Sequence, residues 1–172
     1  MKRMVRDLIQ LKDLQHFASA TPDTTVHDAL TILEETRSSA LMIVDHRGLQ
    51  GIFTERDFAR AAIDQGILLS AAVCTVMSST VYYVEPHFTL EDCLQVMTRV
   101  GVRHLPVLEH GILVASVSMK QIVEVLVEDK DTQIQHLTTY ISGRLPLHES
   151  WYETKPPRLI PIYQLDNSRQ AI

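Results

Sequence analysis

Thr21-Pro22-Asp23-Thr24-Thr25-Val26-His27-Asp28-Ala29-Leu30 returns later in the chain as Glu85-Pro86-His87-Phe88-Thr89-Leu90-Glu91-Asp92-Cys93-Leu94. Pro22 and Pro86 set the offset at 64 residues, and two further stretches superimpose at that offset without a gap. Leu41-Met42-Ile43-Val44-Asp45-His46 lies over Leu105-Pro106-Val107-Leu108-Glu109-His110. Gly51-Ile52-Phe53-Thr54-Glu55-Arg56-Asp57 lies over Ala115-Ser116-Val117-Ser118-Met119-Lys120-Gln121. Self-similarity at a fixed period marks a duplicated supersecondary unit. The chain reads as a tandem duplication.

Both units carry the same local signals. Thr25 and Thr89 are placed as N-caps, with Asp28 and Asp92 as first-turn acids. Behind them Val26, Ala29, Leu30 and Leu33 recur at helical spacing, as do Leu90, Cys93, Leu94 and Met97, so Cys93 reads as core. Apolar runs Ala40–Val44 and Leu105–Leu108 each return as a second run, Leu49–Phe53 and Ile112–Val117, which predicts an antiparallel strand pair. Thr54 and Ser118 then open a second helix; Phe58, Ala61 and Ala62 face the core of the first, and Gly66 stops it. The unit is strand, helix, two strands, helix. The fold class is α/β (α+β), with repeats over 4–67 and 68–131 packed sheet to sheet. Ile134, Leu137, Tyr140 and Ile141 predict a further helix over 132–143. Residues 144–172 form a tail with four of the seven prolines plus Trp151, Tyr152 and Tyr163.

Composition narrows the function classes. The chain has 172 residues, 45% of them apolar, with 6 Gly and 7 Pro, which excludes a disordered or fibrous protein. A net charge of −5 argues against nucleic-acid binding, since phosphate neutralisation needs a basic surplus. The 2 cysteines, Cys74 and Cys93, have neither disulfide-framework nor zinc-site spacing. Charges in Met1–Asp7 are unlike a signal peptide, and Ser and Thr break up the nearly uncharged stretch Gly66–Val84. No membrane association and a cytoplasmic location are expected. The 8 histidines lack metal-ligand spacing, and no nucleophile elbow, Ser-His-Asp order or Walker loop is written. No catalytic or metal-binding residue is assigned, and no enzyme activity is expected.

The chemistry concentrates at Gly51–Asp57. A strand ending at Thr54 and a helix beginning there present free backbone N–H groups and a helix dipole, which suits an anion. Thr54 could donate a hydroxyl to a phosphate, and Asp57 could accept from both hydroxyls of a ribose. The plainer reading makes Thr54 an ordinary N-cap and Asp57 its first-turn acid.

With Thr89-Leu90-Glu91-Asp92-Cys93-Leu94 and Arg103-His104-Leu105-Pro106-Val107 beside that segment, residues 4–142 resemble a tandem pair of cystathionine β-synthase (CBS) domains, a Bateman module of the stand-alone bacterial type. The resemblance implies clefts between the repeats for an adenosine-containing ligand: AMP, ADP, ATP, NAD(H) or S-adenosylmethionine. It assigns the ribose to Asp57 and the phosphate to Thr54, with Arg103 and His104 reaching across from the other repeat. By family position Phe17, Ala18, Leu41 and Met42 could hold the adenine, or simply be core. The second repeat departs from the pattern, keeping Ser118 but carrying Gln121 for the acid. Ser118 and Gln121, facing Ser39 and Ala40, are therefore a weaker second cleft or a plain capping box.

The expected function is a regulatory sensor that needs no cofactor and acts through a homodimer or an unidentified protein target. The alternative is an interaction protein with vestigial clefts, working through its tail. Ile122, Val123, Val125, Leu126 and Val127 are too many apolar neighbours for one core, so some should face another chain. Trp151, Tyr152, Leu159, Ile160, Ile162 and Tyr163 should pack in extended conformation, with a partner chain as the favoured surface.

Overall fold

The hydroxyl oxygens of Thr25 and Thr89 accept from the N–H groups of Asp28 and Asp92, each at 3.1 Å, so both repeats start their first helix with the predicted cap. A computed structural model describes residues 3–14, 16–128 and 163–166. The predicted helix over 132–143 and the tail residues Trp151, Tyr152, Leu159, Ile160 and Ile162 lie outside them.

In repeat 1, β1 (Ser19–Ala20) precedes α2 (Val26–Thr36), β2 (Leu41–Asp45), β3 (Gly48–Phe53) and α3 (Glu55–Gln65). In repeat 2, β4 (Thr80–Tyr83) precedes α4 (Leu90–Val100), β5 (His104–Glu109) and β6 (Ile112–Ser118), and a helix, α5, covers 119–128. β2 and β3 are antiparallel, with β1 parallel to β2; β5 and β6 are antiparallel, and Val84 bridges Val107 in parallel. Gly66 ends α3 in the left-handed region (φ 62°), where a side chain would be strained.

An additional helix, α1 (Val5–Lys12), precedes the first repeat. Its Val5, Leu8 and Ile9 carry a helical spacing that the expected repeat unit does not include. These side chains are buried with Leu90, Cys93, Met97, Leu105 and Ile122, in the core of repeat 2. Backbone bonds fix the crossing: Val5 N–H donates to the Phe88 carbonyl (2.9 Å), and Leu90 N–H donates to that of Arg3 (3.0 Å). The counterpart runs the other way. The Val26 and His27 N–H groups donate to the carbonyls of Ala71 (2.8 Å) and Leu69 (2.9 Å), and Val73 is buried among the side chains of repeat 1. The segment leading into each repeat therefore closes the core of the other.

Between the sheets lies a third cluster. Ala40, Met42 and Leu49 of repeat 1 meet Val81 and Leu108 of repeat 2, with Phe17, Ile52 and Leu113 packed against them. It is the expected sheet-to-sheet contact, and through Ala40 and Phe17 it reaches the candidate site. On α5, Ile122 and Val125 are buried whereas Val123 and Val127 are exposed, dividing the apolar run between core and surface.

The last strand, β7 (Tyr163–Asp166), pairs antiparallel with β4 of the same chain, with Val81 opposite Leu165 and Tyr83 opposite Tyr163. Tyr163 thus packs in extended conformation on β4 of its own chain. Its ring stacks on Tyr83 at 5.4 Å and meets Phe88 at 5.6 Å.

Candidate ligand-binding site

At the turn from β3 to α3, Asp57 is buried and its carboxylate is fully engaged. Oδ2 accepts from the Thr54 N–H (3.0 Å) and the Thr54 hydroxyl (2.6 Å). Oδ1 accepts from Arg60 Nη2 (2.8 Å) and the Ser78 hydroxyl (3.3 Å). Thr54 Oγ1 in turn accepts from the Asp57 N–H at 3.3 Å, completing a capping box. The plainer reading of this segment is therefore realised, and the proton Thr54 was expected to offer a phosphate goes to Asp57. Gly51 serves packing. A Cβ there would stand 2.6 Å from Met77 Sδ and 2.9 Å from the Ser78 carbonyl oxygen, because Ser78 crosses β3 and bonds Ile52 through both backbone groups.

The turn from β6 to α5 repeats this cap with an amide. Gln121 Oε1 accepts from the Ser118 N–H and hydroxyl, both at 2.8 Å, and Ser118 Oγ accepts from the Gln121 N–H at 3.3 Å. With Oε1 occupied, the remaining capacity of Gln121 is its amide N–H pair, a donor only.

Ser118 and Gln121 form one wall of a cavity of about 340 Å³, and repeat 1 supplies the opposite wall through Phe17, Ala18, Ser39 and Ala40. The structure thus brings Gln121, Ser39 and Ala40 together, the grouping that the resemblance implied. It also adds Phe17 and Ala18, which the resemblance grouped with Asp57. His104, expected beside Asp57, lines this cavity too, and burial together with the Arg103 charge lowers its pKa. Arg37, Ser38, His16, Lys120 and Glu124 complete the rim and were not singled out from the sequence. Arg37 follows α2 at φ 50°, and its cationic side chain in a polar Arg-Ser-Ser turn was the signal that could have found it. Glu124 lies 3.9 Å from both Lys12 and Lys120.

Leu41 and Met42 are sealed within the cores at 0% and 1% exposure, too deep for a ligand to reach without opening the sheet. Arg103 is exposed and its carbonyl accepts from the Met119 N–H (2.9 Å). Arg60 and Ser78 both bond Asp57 Oδ1. Among the described residues no group of His, Cys, Asp and Glu could hold a metal, and no helix is long and apolar enough to cross a membrane.

A family model described as the CBS domain matches residues 5–64 and again residues 73–128. The chain belongs to the CBS domain family. This CBS pair is 32% identical over 129 residues to the mitochondrial CBS domain-containing protein CBSX3 of Arabidopsis thaliana, a match covering 72% of this chain and 63% of the plant protein. The match therefore spans less than two thirds of that relative's length. Among solved structures, the CBS domain protein NE2398 is 30% identical with a TM-score of 0.69, covering 74% of this chain and 99% of that one. The CBS-domain containing protein ATU1752 of Agrobacterium tumefaciens is 29% identical with a TM-score of 0.67, covering 71% and 98%.

Proposed function

We propose that this CBS pair is a non-enzymatic regulatory module that holds a phosphate-bearing adenosine compound between its repeats, with the Ser118–Gln121 turn as the principal wall. The cavity of about 340 Å³ carries the reading, since its size falls within the range of small-molecule sites. Phe17, Ala18 and Ala40 give a base an apolar wall, and Ser38, Ser39 and Ser116 offer hydroxyls. Arg37 and Lys120 outnumber the single carboxylate of Glu124, so this rim favours an anion on a chain of net charge −5. The donor-only amide of Gln121 suits a phosphate oxygen better than a ribose hydroxyl. AMP, ADP, ATP and NAD(H) fit these features better than S-adenosylmethionine, whose sulfonium would meet Arg37 and Lys120.

Two more distant CBS proteins are relevant for the fold. The pair of protein MJ0100 is in complex with 5′-methylthioadenosine and S-adenosyl-L-methionine (20% identical, TM-score 0.65). PAE2072 of Pyrobaculum aerophilum is complexed with AMP (20% identical, TM-score 0.60). The ligand assigned to this chain rests on its own cavity.

Calorimetry and thermal shift with adenosine, AMP, ATP, NAD and S-adenosylmethionine test the reading. One site per chain is expected, with the phosphate-bearing compounds bound most tightly. A ligand at 100 times its Kd adds about 2.7 kcal/mol of stability. If no compound binds, the reading fails.

The output is an interface, in a homodimer or with a protein target. Exposed Val123 and Val127 on α5 support a second chain there, and a monomer in sedimentation at micromolar concentration would contradict it. Cys74 and Cys93 are both free, which accords with a reducing, cytoplasmic setting. One observation favours the alternative of vestigial clefts with a working tail: the Asp57 carboxylate is already saturated by its own chain.

A further inference from the structure

β7 is four residues long, yet it touches two cores. Tyr163 and Leu165 are partly buried while Gln164 between them is exposed, the alternation of a strand with one covered face. Tyr163 joins the repeat 2 core through its stack with Tyr83 and its contact with Phe88. Leu165 instead packs on the cluster between the repeats. That cluster includes Ala40 and is packed by Phe17, and both also line the cavity. Leu165 and the cavity-lining Phe17 and Ala40 thus belong to one packed cluster.

A four-residue strand at a sheet edge, held by two side chains, belongs to the part of a protein that opens at low cost. We infer that β7 is a releasable strap whose docking on β4 is coupled, through Leu165, Phe17 and Ala40, to the shape and occupancy of the cavity. This rests on the proposed function for the ligand, but not for the mechanical link. With Leu165 docked, the cluster it shares with Phe17 and Ala40 is filled and the cavity is formed. Without it, a void opens in that cluster, and Phe17 and Ala40 can relax away from the ligand position. A ligand that needs the formed cavity stabilises the docked strap, and by reciprocity the docked strap raises the affinity for that ligand by the same factor. Release bares the β4 edge, Thr80–Tyr83, as a row of unpaired backbone groups.

Hydrogen exchange on the full chain tests the link without ligand. Leu165→Ala is expected to speed exchange about fivefold or more at residues 17–20 and 39–42 as well as at 80–83. Faster exchange confined to 80–83 would overturn the coupling. Should Leu165→Ala fail to fold, Leu165→Val makes a smaller void and is read the same way. In a second arm, saturating AMP or ATP should slow exchange at 163–166, and Leu165→Ala should weaken nucleotide binding about fivefold or more. Unchanged affinity in a folded variant would overturn the inference. If neither nucleotide binds the wild-type chain, the proposed function fails, while the first arm still decides the strap.

Discussion

Arg60 Nη2 donates to Asp57 Oδ1 at 2.8 Å, and the residue 64 positions after Arg60 is Glu124. The duplicated turns therefore differ in charge. Repeat 1 pairs an acid with a base, whereas repeat 2 carries a neutral amide and, at the base's position, an acid that lies near Lys12 and Lys120. In repeat 1 the cation is spent on the chain's own carboxylate. At the repeat 2 turn Lys120, beside Glu124, lines an open cavity together with Arg37 of repeat 1.

Asp57→Ala is expected to destabilise the fold by about 1–2 kcal/mol in urea unfolding, because the cap at Thr54 loses its reciprocal acceptor and Arg60 its partner. Gln121 shows that the turn needs an acceptor, not a charge. Asp57→Asn should therefore retain more stability than Asp57→Ala; equal losses would contradict that account. Arg60→Ala should cost under about 0.5 kcal/mol, since Arg60 is largely exposed.

Gly51→Ala is expected to cost about 2 kcal/mol, measured as a lower urea midpoint at constant slope. The added methyl would meet the Ser78 carbonyl oxygen at 2.9 Å, and that oxygen is held by the Ile52 N–H at 3.0 Å, so the backbone must move. A neutral effect would show that the Met77–Ser78 segment yields easily.

Arg37→Gly and Lys120→Ala should each weaken binding of ATP about three- to tenfold at low ionic strength, with smaller effects at high salt. Glycine is chosen at Arg37 because the backbone there is left-handed. Ser39→Trp, from an exposed wall of the cavity, should abolish binding without lowering Tm. Calorimetry that finds all three variants equal to wild type would move the ligand elsewhere.

Burial pushes the Cys93 thiol up to about 12, with Asp92 adding to the shift. The folded state favours the neutral thiol, so its contribution is complete below the ordinary thiol range and is lost as pH rises toward 12. Native protein should take up iodoacetamide at exposed Cys74 only, and at both cysteines once unfolded. Native labelling at Cys93 would show that the repeat 2 core opens readily.

The repeat unit, its caps and its strand pairs were legible because each depends on neighbours in sequence. Thr25 caps Asp28 across three residues, and the Thr54–Asp57 and Ser118–Gln121 boxes likewise close within one turn. α1 was missed because its burial is decided by repeat 2, more than 80 residues away, and not by its own pattern. Arg60 was missed for a different reason. A helix residue at i+3 from an acid reads as a solvated pair, and only the buried Asp57 and the crossing Ser78 show how fully that carboxylate is occupied.

By itself, then, the sequence determined the duplicated architecture and the chemistry of each strand-to-helix turn, because periodicity, capping and hairpin formation act over a few residues. Tertiary structure alone decided which residues share a cavity. It sank Leu41 and Met42 into the cores, set Phe17, Ala18 and His104 in one cavity with Gln121, and packed Leu165 on the cluster between the repeats. The physical reason is that these neighbours meet through packing of one repeat on the other. A period of 64 residues specifies what each repeat is, but not which of its side chains the other repeat will cover.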